Sequence, residues 1–219
     1  MIFPKSTEFN QKIPKERFYQ NLDVNNKTKK EFVDSIDTIT LKNKLAKDTL
    51  NINSTKEVEE LFVLGIELKK EESLENIEDL LLLIDRAIPY PILYKISRRK
   101  KTLYKIAYKK RNKVSGDDFV VETYFSREIE NEAKFEKELT PIFNSINLEV
   151  LYERLIRIIS GVKKDTPIEE LVENIKKRRI LEREIEVLEK KVKTEKQTDK
   201  SYKLFEELGI KKKELGELK

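Results

Sequence analysis

Apolar residues change their spacing along this chain, and the change divides it in two. In Asp37-Thr38-Ile39-Thr40-Leu41 and Thr49-Leu50-Asn51-Ile52, apolar residues alternate with polar or β-branched ones, the period of a strand. Leu61-Phe62-Val63-Leu64-Gly65-Ile66-Glu67-Leu68 is the strongest strand pattern. Its first half is apolar on both faces, which predicts a central place in a sheet. Ser73–Ile88 carries Leu80, Leu81, Ile84 and Ile88 at helical spacing, and Pro89 and Pro91 end it. Ile92–Ile96 and Leu103–Tyr108 predict two strands joined by a polar turn, Ser97–Thr102. Val120–Tyr124 predicts another after Gly116-Asp117-Asp118. Residues 1–28 are polar and contain Pro4 and Pro14, so they read as an extended segment with at most one short helix, at Lys15–Asn21. Thr28–Asp34 reads as a short helix, and Ser54 with Glu57 fits a capping box.

From Asn147 the period becomes helical throughout. Leu148, Leu151, Leu155, Ile158 and Ile159 form a stripe that stops near Gly161. A second helix starts at Thr166-Pro167. Its apolar residues Leu181, Ile185, Leu188 and Val192 step by four, three and four, a coiled-coil seam and a candidate partner-binding surface. The seam meets Glu195 and Asp199, then resumes in a different phase at Tyr202, Phe205, Leu208, Leu215 and Leu218. Such a break marks a stutter, a bend or the reversal of an antiparallel hairpin. The expected architecture is α+β, with a mixed sheet and helices over residues 1–146 and a helical coiled-coil arm over 147–219.

Composition narrows the chemistry. The chain has no His and no Cys, which excludes Ser-His-Asp and Cys-His catalysis and a His or Cys zinc site built from this chain alone. Its five glycines are too scattered for a phosphate-cradling loop. Carboxylate, Lys, Arg and Tyr chemistry with a magnesium-like ion remains, or no chemistry. The net charge of +5 is small beside 46 basic and 41 acidic residues, so local clustering carries more than the total. The absence of Cys fits a reducing compartment, Met1–Lys5 lacks the apolar core of a signal peptide, and Leu80–Ile84 is too short to span a bilayer. A soluble cytoplasmic protein is expected.

Two local patterns suggest sites. From Arg98 to Lys113 the chain carries Arg98, Arg99, Lys100, Lys101, Lys105, Lys109, Lys110, Arg111 and Lys113 without one acidic residue. Tyr94, Tyr104 and Tyr108 interleave with them. Clustered cations bind phosphates and exposed aromatic faces stack bases, so a nucleic-acid-binding hairpin is one reading. The other is a solvated turn whose charges pair with the acidic arm, with the tyrosines sharing the inward face of the hairpin with Ile92, Ile96 and Ile106. Separately, Glu67-Leu68-Lys69 places Glu67 and Lys69 on one face of a strand end. With Asp48 from a neighbouring strand they would form the carboxylate-and-lysine set of restriction-type nucleases, which is magnesium-dependent. Glu-x-Lys also recurs by chance in a chain this rich in Glu and Lys.

Several segments together resemble a known family. They are Phe3-Pro4-Lys5-Ser6-Thr7-Glu8 with Ile13-Pro14-Lys15, then Leu45–Ile52 followed by Val58–Val63, then Ile84-Asp85-Arg86-Ala87-Ile88-Pro89 with Pro91-Ile92-Leu93, and Leu188–Gln197. They resemble the prokaryotic family termed domain of unknown function four-three-nine-one over nearly the whole chain. The sequence departs from that pattern at Thr38–Leu41, where an aromatic is common, and near Phe205, where Asn is common. The resemblance implies a shared fold and no catalytic residue. It also implies a neighbourhood of helicases and DNA methyltransferases in restriction-like or antiphage loci. The reading that follows is a non-enzymatic accessory or adaptor subunit without a cofactor. Its partner would be such a helicase or methyltransferase, or a second copy, and the basic hairpin would add DNA or RNA contact. The alternatives are the magnesium-dependent nuclease and a purely structural coiled-coil oligomer.

Overall fold

The computed structural model describes residues 2–20, 22, 24–69, 77–98, 101–111, 119–162 and 166–218. Two compact units divide the chain, residues 1–164 and 165–219. The first is built on a six-stranded sheet whose spatial order equals its sequence order: β1 (Glu8–Lys12), β2 (Ile36–Leu45), β3 (Leu61–Leu68), β4 (Ile92–Arg98), β5 (Lys101–Arg111) and β6 (Phe119–Glu128). All neighbours are antiparallel except β3 and β4, which run parallel. The sheet is therefore mixed and the fold α+β.

Helices cover both faces because side chains alternate along each strand. On β5, Tyr104 meets Phe135 of α4 (Glu132–Leu139), with ring centroids 4.7 Å apart. The next residue, Lys105, meets Glu78 of α3 (Glu78–Ala87) on the other face. The α3 side holds an apolar core, where Leu81 and Ile84 pack with Ile39, Leu64, Ile66, Tyr94 and Ile96. Phe32 of α1 (Asn26–Ser35) joins it. On the opposite side α5 (Leu148–Ser160) packs on β5 and β6.

Local chemistry explains where the elements begin and end. Asn25, Asn131 and Asn147 each precede a helix, and each side chain accepts a backbone N–H three residues on, at 2.8, 2.9 and 2.9 Å. α1 thus starts before the Thr28 read from apolar spacing. α5 ends at Gly161, whose φ of 71° suits a residue without Cβ. α3 ends at Ile88, which is extended ahead of the prolines. The expected helix over Ser73–Ile88 begins at Glu78 among the described residues, residues 70–76 lying outside them.

Four expectations need correction. Thr49–Ile52 is no strand: Lys47–Leu50 forms a single helical turn, α2. The Thr49 hydroxyl accepts the Ala46 N–H and donates to the Lys44 carbonyl, and Asn51 closes the turn in the left-handed region at φ 55°. No helix follows Ser54; Thr55 instead accepts the Val58 N–H in a local turn. β1 and α4 have no counterpart in the apolar spacing, β1 because all five of its side chains are exposed. The division between units falls at residues 164 and 165 rather than 146 and 147, because α5 packs on the sheet.

The second unit is a helical hairpin of α6 (Ile168–Thr194) and α7 (Thr198–Glu217). Three residues connect the helices, and Gln197 N–H bonds the Glu195 carboxylate there at 2.9 Å. Among the alternatives for the phase break, the antiparallel reversal is the one found. No helix among the described residues is long and apolar enough to cross a membrane.

Candidate functional site

The three residues of the nuclease reading do not meet. Register pairs Leu45 with Leu61 and Thr38 with Glu67, so Asp48, beyond Leu45, lies at the opposite end of the sheet from Glu67. The run from Leu61 to Glu67, at about 3.3 Å per residue, separates them by about 20 Å. Glu67 accepts a hydrogen bond from the Thr38 hydroxyl at 2.9 Å. Lys69 donates to the Val33 carbonyl at 3.1 Å, at the end of α1, where Lys15 donates as well. Burial and then the nearby Lys69 charge hold the Lys15 amine below its usual range. Among the described residues, no group of three or more acidic side chains is placed to hold a metal ion.

The basic hairpin splits into an inner and an outer set. Lys105 is buried and pairs with Glu78 at 2.6 Å. Lys109 is fully buried against Asp85 of α3, whose carboxylate also accepts from the Tyr124 hydroxyl at 2.5 Å. The Lys109 ammonium donates to the carbonyls of Asp85, Ile88 and Tyr90 at 3.1, 2.7 and 2.9 Å. Its three N–H groups are so used, and Asp85 Oδ1 at 2.9 Å is a charge contact rather than a directed bond. Burial holds the Lys109 amine below its usual range, with Asp85 opposing the shift. Burial likewise pushes the Tyr124 and Tyr94 phenols well up, Asp85 adding to both. Lys105 and Lys109 are thus corrected from nucleic-acid contacts to core anchors, and Tyr94 and Tyr104 are core residues rather than stacking platforms.

The outer set keeps its exposure. Lys101 pairs with Glu128 at 3.2 Å while its side chain is 68% exposed. Lys110 is exposed and lies over the Tyr108 ring at 5.3 Å. Arg111 reaches Glu57, Glu59 and the Lys56 carbonyl. Arg99, Lys100 and Lys113 lie outside the described residues, as does the side chain of Arg98.

A cleft of about 470 Å³ opens on the face of the sheet opposite α3, over the middle of β2, β3 and β4. Thr40, Lys42, Gly65, Glu67, Lys95 and Ser97 form its floor, with Glu132 of α4 on one side. Lys95 pairs with Glu132 at 2.8 Å. Glu67, the centre of the nuclease reading, belongs to this cleft, whereas Asp48 lines a separate shallow recess with Lys44, Lys47 and Glu60.

A family model described as "Domain of unknown function (DUF4391)" matches residues 1–215. The chain belongs to that family. No curated protein and no solved structure matches it. In this DUF4391 chain, the segment Ile84–Leu93 that carried part of the resemblance holds the Asp85 carboxylate and the carbonyls bound by Lys109. That part of the shared sequence is scaffold: it fixes the end of α3 to β5. Sequence reasoning missed the role of Asp85. An acidic residue inside the apolar stripe of α3 was the available signal, since buried carboxylates require partners.

The seam residues find their partners within the same unit. Ile185, Leu188 and Val192 pack against Leu204, Leu208 and Leu215 of α7, and Leu181 is also buried. Lys211–Glu184 at 2.9 Å and Lys212–Glu189 at 2.8 Å flank that contact. Tyr202 and Phe205, near the connection, are each 64% exposed instead.

Proposed function

We propose that this DUF4391 chain is a non-enzymatic accessory subunit of a nucleic-acid-processing assembly, of the restriction-like, antiphage kind. The observation that carries the reading is the position of the outer cations. The β4–β5 pairing closes with Arg98 opposite Lys101, at the end of the sheet where parallel β3 and β4 both finish. Arg98 thus ends β4 and Lys101 begins β5, and in the sequence these two belong to a run of four basic residues, Arg98–Lys101. The one neutralising contact described there, Lys101 with Glu128, joins two side chains more than half exposed. Such a pair is worth little and yields readily to a phosphate.

The partner surface in this reading is the hairpin near its connection, where Tyr202 and Phe205 are exposed. Aromatic side chains of this kind anchor protein interfaces. A helicase or a methyltransferase is the expected partner. The separation of Asp48 from Glu67 withdraws support from the nuclease alternative, and the internal closure of the seam withdraws it from an oligomer zipped through Leu181, Ile185, Leu188 and Val192.

The test is duplex and single-strand binding by fluorescence anisotropy across a salt series. Replacing Arg98, Arg99, Lys100 and Lys101 with Ala should weaken binding and lower the slope of log K against log salt by about 0.9 for each duplex phosphate no longer neutralised. An unchanged affinity and slope would remove nucleic acid from the proposal.

A further inference from the structure

The cleft on the sheet contains a cation that neither the fold nor the accessory role uses. Gly65 sits in mid-strand with Thr40 and Lys95 as its register partners on either side. Its missing side chain makes room for Lys42. A Cβ at position 65 would come within 2.9 Å of Lys42 Cε and 3.3 Å of its Cγ. The Lys42 stem thus crosses β3 over Gly65, and Lys42 lines the cleft.

Its neighbours on the sheet have carboxylate partners: Lys44 pairs with Glu60 at 2.7 Å and Lys95 with Glu132 at 2.8 Å. Lys42 is half-buried, and among the described residues its ammonium has no hydrogen-bond or ion-pair partner. The hydroxyls of Thr40 and Ser97 line the same cleft and are likewise unbonded among the described residues. An unpaired ammonium in the same cleft as two unbonded hydroxyls favours an oxyanion, through charge-assisted hydrogen bonds.

We propose that this cleft binds one oxyanion group, a carboxylate or a phosphate, carried by a small ligand, with Lys42, Thr40 and Ser97 as its direct contacts. The volume suits a small molecule. The rest of the lining sets the class. Glu67 is held by Thr38 and Glu132 by Lys95, while Glu8 and Glu136 stand in the same lining. Four carboxylates around one unpaired ammonium repel a polyanion and accept a ligand whose charge is confined to one end. The site is therefore distinct from any contact with a nucleic-acid backbone at Arg98–Lys101.

The experiment is an amide NMR titration of the isotopically labelled full chain with sodium phosphate and, separately, sodium acetate, at constant ionic strength with sodium chloride as control. Saturable shifts at Thr40, Gly65 and Ser97 with one anion are expected, and the anion that gives them names the group. Lys42→Met should weaken that binding by about tenfold or more, and Lys42→Arg should retain most of it. Gly65→Ala should also weaken it, because the new methyl displaces the flexible Lys42 stem without removing its charge. Non-saturating shifts with both anions, or unchanged binding by Lys42→Met, would overturn the proposal. Duplex DNA should leave the three amides unmoved; competition between DNA and phosphate there would overturn the exclusion of polyanions.

Discussion

Replacing Lys109 with Met tests the reading of the buried pair most directly. Met fills the volume of the lysine stem and removes only the ammonium. The Asp85 carboxylate then remains fully buried with the Tyr124 hydroxyl as its donor, and three carbonyls are left without theirs. Breaking one side of a buried ion pair costs roughly 3–5 kcal/mol. That is a large part of the 5–15 kcal/mol typical of a domain. Asp85→Leu should cost a similar amount, by burying the ammonium without its anion. The double variant removes both charges and should return to within about 1–3 kcal/mol of the parent, the remainder being the missing donor to the carbonyls and the missing acceptor for Tyr124. Urea unfolding followed by tyrosine fluorescence reads all four forms, because Tyr94, Tyr104, Tyr124 and Tyr152 are buried in the first unit. A Lys109→Met loss below about 1 kcal/mol, or a double variant as unstable as the sum of the singles, would show that Asp85 and Lys109 are not coupled in this way.

The same burial governs alkaline stability. The Tyr94, Tyr104, Tyr124 and Tyr152 phenols are all raised by desolvation, so their contribution is fully present below the ordinary tyrosine value of 10.0 and is lost as pH rises above it. Lys109, held low by burial, acts with the opposite sign over the interval below 10.5. Tyrosinate absorbance should therefore rise in two stages, the second coinciding with loss of circular dichroism; one reversible stage with the fold intact would contradict this. Gly161→Val should cost about 1–2 kcal/mol through its left-handed backbone, read from the urea midpoint, while Gly209→Ala, within α7, should stabilise its helix slightly. Leu208→Ala removes a central contact of the hairpin and should raise amide exchange in residues 168–217 while leaving the sheet amides unchanged. Uniform acceleration across both units would show that they open together.

The strand at Leu61–Leu68 and the helix ending before Pro89 were legible in the sequence because burial there is periodic and the punctuation is strong. So was the seam, whose phase break at Glu195 marks the reversal. β1 was not legible, since a strand exposed along its length has no alternation to read and depends on its pairing with β2. Thr49–Ile52 misled for another reason: its alternation is real, but the Thr49 hydroxyl supplies a local bond that a helical turn can use. The basic run misled in the same manner. Sequence spacing shows nine basic residues with no acidic one among them, whereas β5 turns Lys105 and Lys109 toward Glu78 and Asp85 of α3, 27 and 24 residues earlier in the chain. A long-range pairing of that kind leaves no mark within the run. The cleft was equally hidden, because it depends on Thr40, Gly65 and Lys95 standing side by side on three strands, with the Lys42 stem crossing over Gly65.

The order of the sheet has a consequence for how the chain reaches this state. Every strand pairs with the strand before it in the sequence, even where the β3–β4 step is parallel and passes through α3. Contacts close over short stretches of chain, which is the circumstance that speeds folding. During synthesis, each strand from β2 onward meets a partner already made, and no strand edge waits for a distant segment still to be translated. The bridge between Asn53 and Asn147 spans much more sequence and forms only after β6 and α4 have been added. The topology thus allows the sheet to be assembled vectorially, from β1 to β6, with α5 packing onto β5 and β6 after both are made.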